Sequence, residues 1–252
     1  GARCGFVVLA VATAARSEAA LNLVTDTLAD VEAHLAEFVI GRPGPAEAVR
    51  QALARDAQPV VLADVADNVG GGSPGDGTAL LAELIAQKAR GAVVIIADAA
   101  AVAAARRAGS GNEVELEVGG KSDALHGAPV RIAGEICALS DGNYRTEGSW
   151  MTGRSFSMGP TAAIETDDGI IVVLTSRAVP PFHIEQLTSM GIDPRRAAII
   201  VAKGAIAWRA AYEPIMASAI EVDTPGCCPV DPLRLGRRHS PGQVAPHLPR
   251  AG

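Results

Sequence analysis

The stretch VADNVGGGSPGDGT, residues 65–78, constrains this chain more than any other part of it. Five glycines and a proline in so short a span cannot continue a strand or a helix, because glycine loses the most backbone entropy on ordering and proline lacks an N–H. The stretch follows the valine-rich run PVVLADVA and precedes the helical pattern LLAELIAQ. It is therefore a loop joining a buried strand to a helix. The next apolar run, GAVVIIAD, has the composition of a second buried strand, so strand, loop, helix and strand make a βαβ unit, with a right-handed crossover expected.

What such a loop holds has several answers. Gly70, Gly72 and Gly75 satisfy GxGxxG between a strand and a helix, the setting of a dinucleotide fingerprint. Against that, Pro74 and Asp76 occupy the segment whose amides would face a pyrophosphate, and no lysine follows a glycine as a Walker loop requires. Asp64, Asp67, Asn68 and Asp76 bring oxygen atoms that suit a hard cation such as magnesium, whereas zinc prefers nitrogen or sulfur. In the purely architectural alternative, Asp67 and Asn68 bond the loop's own backbone, Asp76 or Thr78 caps the helix, and the glycines take positive φ.

The rest of the chain narrows the function classes. Of 252 residues, 48% are hydrophobic and only 3% aromatic, which predicts a soluble globule with an aliphatic helix-and-sheet core and no base-stacking surface. The net charge of -6 repels phosphate backbones, and only Arg237, Arg238 and His239 cluster as a basic group, so no nucleic acid is expected. Cys4, Cys137, Cys227 and Cys228 include no CxxC and read as reduced thiols of a cytoplasmic protein. His34, His126, His183, His239 and His247 form no HxH or HExxH, and Ser73 sits in no GxSxG elbow, so neither a zinc triad nor a serine hydrolase is indicated. No run after the amino terminus is long enough to span a bilayer.

Along the chain, residues 6–13 (FVVLAVAT) predict a strand, with a short signal-peptide core as the competing reading, leading into an amphipathic helix over residues 17–39 capped by Ser17. GRPGP breaks the chain at 41–45, AEAVRQALA forms a short helix, and a domain boundary is expected near residue 57. After the helix AAVAAARRAG the pattern turns to period two in EVELEV, PVRIAGEICALS and TAAIETDDGIIVVLTS, with Asp168-Gly169 as a hairpin turn. IEQLTSMGIDP predicts a short helix, AAIIVAK a buried strand, and AIAWRAAYEPIMASAI a helix interrupted at Pro214. The expected class is α/β, a mixed sheet with a βαβ unit and an antiparallel portion, with helices packed on the sheet.

Taken in order, ADVADNVGGGSPGDGTALL, VELEVGGKSD, ALSDGNYR, SMGPTA, VVLTSR, FHIEQLTSMGIDP, VAKGAIAWRAAYEP and IEVDTPG resemble the carboxy-terminal domain of the microcystinase-C-like metallopeptidases, from about Pro59 to Gly226. The resemblance implies three parts: residues 1–57 as the last strand and helix of an amino-terminal metallopeptidase domain, 58–226 as the carboxy-terminal domain, and 227–252 as a Pro/Arg-rich tail. In that family the amino-terminal domain carries the zinc ligands, so zinc is expected in the complete enzyme and none bound by this chain alone. The implied activity is hydrolysis of small or linear peptides or related amides, with a zinc-bearing amino-terminal domain or subunit as partner and homo-oligomers as an option.

The same resemblance points to Asp67, Asn68, Gly70, Gly71, Gly72, Asp76, Gly77 and Thr78 as cleft-lining or substrate-binding positions, Asp76 being the candidate catalytic group. Lys121, Arg145 and Arg209 are lesser candidates, for which ordinary salt bridges serve as well. Val69 stands where the family usually has proline, and Ala207 where a histidine is common. Two readings from other classes compete: a stand-alone module holding an anionic small molecule at the glycine loop and the Thr78 helix terminus, and an interaction subunit docking through its first helix.

Overall fold

The computed structural model describes residues 7–38, 41–148, 150–231 and 234. The start of the first apolar run, the basic cluster at Arg237–His239 and the tail beyond Arg234 lie outside the described residues. The chain divides into two compact units, and the larger is Arg42–Leu235.

In the smaller unit a 3-10 turn, Ala14–Arg16, leads into helix α1, Ser17–Ala33, and a second 3-10 turn covers Leu35–Phe38. The strand expected over residues 6–13 is not formed in its described part. Residues 7–13 have no regular structure, and Val7, Leu9 and Val11 are largely exposed. A strand needs a neighbour to pair its N–H and C=O groups, and among the described residues none pairs with this run. The helix ends at Ala33 rather than 39, and α1 buries no residue.

The larger unit opens with α2 (Pro45–Leu53) and continues through β1 (Val60–Asp64), α3 (Ala79–Ala86), β2 (Ala92–Ala97), α4 (Ala99–Ala108), β3 (Glu113–Val118) and β4 (Val130–Ser140). A small hairpin, β5 (Asn143–Arg145) and β6 (Ser155–Ser157), stands apart from the main sheet. Then come β7 (Thr161–Thr166), β8 (Ile171–Thr175), α5 (Glu185–Thr188), β9 (Ile199–Ala202), α6 (Arg209–Tyr212) and β10 (Ser218–Val222). The expected boundary near residue 57 falls between α2 and β1, inside this unit.

Eight strands form one mixed sheet in the order β10-β1-β9-β2-β8-β7-β4-β3. The strands from β10 to β8 are parallel, and β7, β4 and β3 extend the sheet antiparallel. The βαβ unit is β1-α3-β2, with β9 inserted between its two strands. The pattern of side chains explains both layers. Val60 and Leu62 face α2, α3 and α4 through Val49, Leu81 and Val102, while Val61 and Ala63 face the other side, where Leu187, Met190, Trp208 and Tyr212 pack. With both faces covered, β1 and β9 are buried at every position and read as continuous apolar runs. Each large aliphatic side chain so buried contributes roughly 1.5–3 kcal/mol.

The segment AIAWRAAYEPIMASAI is not one interrupted helix. Only Arg209–Tyr212 is α-helical, Pro214 ends it, and Ser218–Val222 is the edge strand β10, parallel to β1. Ile220 and Val222 alternate into the core, a period-two signal that the alanines before them obscure. Because β1, β9, β2 and β8 run parallel, their carboxy ends share one edge of the sheet, the place where ligand sites gather in α/β folds.

Candidate functional site

At that edge the glycine loop leaves β1. Its base is an ion cluster in which Lys203, just past the end of β9, places its Nζ 3.1 Å from Asp64 Oδ2 and 3.0 Å from Asp67 Oδ2 and donates to the Gly77 carbonyl at 2.6 Å. All three side chains are buried. Burial opposes the Lys203 charge, but Asp64 and Asp67 outweigh it and hold the ammonium above its ordinary pKa. Burial likewise opposes ionisation of Asp67, and Lys203 with the Gly77 and Gly75 amides overcomes it, so the carboxyl lies below its ordinary range. The cation beside these carboxylates is the chain's own lysine, which corrects the magnesium reading of the acidic residues. Thr224 completes the base, its hydroxyl donating to Asp64 and accepting from the Ala66 amide at 3.2 Å.

Asp67 shapes the loop. Its Oδ1 accepts from the Gly75 amide at 2.9 Å and its Oδ2 from Gly77 at 2.8 Å. Gly75 takes φ of 74°, and a Cβ on Gly77 would fall 2.8 Å from Asp67 Oδ2, so glycine is required at both. The Asn68 carbonyl accepts from Gly71 and Ser73 (2.9 and 3.1 Å), closing the tight turn that leaves Gly70, Gly71 and Gly72 exposed at the apex.

A second loop, residues 119–128, is stapled to the first. Asp76 Oδ2 accepts from the amides of Lys121 (2.9 Å) and Ser122 (2.8 Å), and the Asp76 carbonyl accepts from Gly120 at 2.8 Å. Asp76 Oδ1 is buried without a partner among the described residues. Thr78 donates through its amide to the His126 carbonyl (3.1 Å) and through its hydroxyl to Ala128 (2.7 Å). The α3 terminus on which an anion-binding module would rely is therefore engaged by the chain itself at Thr78. His126 Nδ1 lies 2.8 Å from Asp123 Oδ1, and its Nε2 accepts from the Cys227 amide at 3.3 Å and lies 3.7 Å from Asp67 Oδ1.

Lys121 bridges these parts, its Nζ lying 2.7 Å from Asp98 Oδ2 and donating to the Glu117 carbonyl at 2.6 Å. Asp98 also caps α4 by accepting from Ala101, and accepts from Gly119. Burial raises its pKa, and Lys121 and the two amides together bring it below the usual value. Arg145 and Arg209 are not gathered here. Arg145 donates to Gly153 in the small hairpin, and Arg209 pairs with Glu213 and Glu221 over the Trp208 ring.

A small cleft, open to solvent, lies beside the loop, lined by Val69 and Gly75 together with Ala97, Thr175 and Lys203 from the strand ends and by Gln186. Among the described residues, Gln186 Oε1, both ring nitrogens of His183 and the Tyr144 hydroxyl are buried without a hydrogen-bond partner that meets ordinary geometry. Burial pushes that hydroxyl up to about 12. Sequence reading did not single out Lys203, Asp98 or Gln186 as site residues. A lysine directly after an apolar strand, as in IIVAK, is the one signal that pointed to Lys203.

Among the described residues no group of three or more His, Cys, Asp or Glu side chains is arranged to hold a metal ion. The carboxylates near the loop are engaged by Lys203, Lys121 and backbone amides, so this donor set does not fit a catalytic zinc. No described helix is long and apolar enough to cross a membrane.

The chain is similar to known proteins over most of its length. It is 26% identical to microcystinase C of Sphingomonas sp over 175 residues, which is 69% of this chain and 34% of that protein. It is similar in fold to a Mesorhizobium sp. BNC1 protein of known crystal structure, described as a "putative metallopeptidase", with a TM-score of 0.76 and 24% identity over 90% of this chain and 45% of that one. The chain thus spans about a third of the curated relative and under half of the solved one. The family model described as MlrC C-terminus matches residues 62–239, well over half of the chain, and the chain belongs to that family.

Proposed function

We propose that this chain is the carboxy-terminal part of a zinc-dependent hydrolase acting on small or linear peptides, and that it supplies one wall of the reaction cleft while the zinc ligands come from an amino-terminal domain or subunit. The observation that carries the reading is the glycine loop. Asp67, Asp76 and Lys203 are buried and hold backbone, so they fix the loop's form, and the exposed apex Gly70–Gly72 lies between Val69 and Gly75, which line a small cleft at the carboxy ends of the parallel strands. The amides of Gly71 and Gly72 close the turn, so a rigid apex of this kind can present backbone carbonyls to a peptide without reorganising. The chain's own role is to bind and orient substrate. The family membership and the name of the curated relative support the chemical class, and the free Cys137, Cys227 and Cys228 favour a cytoplasmic setting.

The test is complementation. The full chain is assayed against short linear peptides with zinc, alone and after co-expression with the amino-terminal portion of a family member. Turnover is expected only in the combination. Zinc-dependent turnover by the chain alone would overturn the division of labour.

A further inference from the structure

We propose that Cys227 and Cys228 form a two-thiol chelating site for a thiophilic centre of low coordination number, a trivalent arsenical or a monovalent coinage-metal ion, and that its occupancy fixes the apex of the glycine loop. The thiols are adjacent in sequence and converge on one oxygen: Ser73 Oγ lies 3.1 Å from Cys227 Sγ and 3.5 Å from Cys228 Sγ. Ser73 Oγ also lies 3.2 Å from the Ala66 carbonyl, and Cys228 Sγ lies 3.8 Å from the carbonyl of Gly71. The pair is anchored from behind, the Cys228 amide donating to Ala66 at 3.0 Å and the Cys227 amide to His126 Nε2 at 3.3 Å. A Cβ on Gly71 would come 2.9 Å from Cys228 Sγ, so sulfur packs directly on the loop apex.

Geometry separates chelation from disulfide formation. Among the described residues the one cis peptide bond is Gln58-Pro59, so the Cys227-Cys228 bond is trans. Consecutive Cα atoms across a trans bond are about 3.8 Å apart, below the roughly 4.4–6.8 Å that disulfides adopt. The eight-membered ring is therefore disfavoured, and both cysteines are free and half-exposed. A larger atom bridging the two sulfurs closes a wider ring without that restraint. Two thiols with one hydroxyl nearby fall short of zinc's four-ligand set, and soft sulfur donors favour thiophilic centres of lower coordination. With phenylarsine oxide as probe, two As–S bonds form, the arsenic–oxygen bond breaks, and the oxygen leaves as water with both thiol protons. Arsenic stays trivalent and no oxidant is needed.

The experiment treats the full chain with one equivalent of phenylarsine oxide and follows intact mass and amide exchange. The expected result is one phenylarsenic group per chain, removed by a dithiol such as 2,3-dimercaptopropanol but not by an equal concentration of a monothiol. Exchange should slow at least severalfold over residues 70–73. The adduct should be lost in C227S and in C228S and kept in C137S, whose thiol donates elsewhere, to Ala163. An adduct that survives either of the first two substitutions, that a monothiol removes, or that leaves exchange at the loop unchanged would overturn the proposal. The dithiol and exchange readouts need no variant, so they hold even if a substitution impairs folding.

Discussion

Lys203 is the residue on which the local structure turns. It answers two buried carboxylates and a carbonyl at once. Removing one partner of a buried ion pair leaves an uncompensated charge, so Lys203→Met should destabilise the chain by about 3–5 kcal/mol, read from the midpoint of chemical denaturation. Because its pKa is raised above 10.5, the contribution of the lysine's own protonation is complete below that value and is lost as pH rises through the folded-state pKa. The acidic residues of the loop were visible in the sequence as a set, but their direction was not. Asp67 and Asp76 turn inward because each accepts two backbone amides, and the partners of those bonds are up to 46 positions away. Nothing in local spacing announces such a bond.

Among elements, α4 anchors the second loop through its cap. Asp98→Ala removes the α4 cap and the anchor of Gly119 and Lys121, and should cost about 1–2 kcal/mol with faster amide exchange over residues 119–128. Unchanged exchange in that segment would show that the staple to Asp76 suffices by itself. The strands β1, β2, β3, β4, β7, β8 and β9 were legible because burial on one or two faces writes itself into the sequence as alternation or as a continuous apolar run. The edge strand β10 was not, since alanine suits a helix as well and only its pairing with β1 decides. The FVVLAVAT run failed in the opposite way. It has strand composition but no partner strand among the described residues, and composition alone does not make a ladder.

For the whole molecule, acid should act in two windows. Burial lowers the pKa of His183 from 6.5, with Glu185 and Trp150 opposing, so below about 6.5 the unfolded chain takes up a proton that the native ring resists and stability falls. Asp67 and Asp98 have pKa values depressed from 3.8; their contribution is present above that value and is lost as pH falls through their folded-state values. Denaturation midpoints between about pH 8 and about pH 5 should decline in the native protein and flatten in His183→Gln. The measurement closest to the central claim, that the polar groups of this chain hold a loop and not a catalytic metal, is zinc content by elemental mass spectrometry. It is made on the C227S/C228S double variant, so that the thiol pair cannot contribute, after equilibration with a trace of zinc. The account predicts essentially no zinc per chain, and close to one zinc per chain would contradict it.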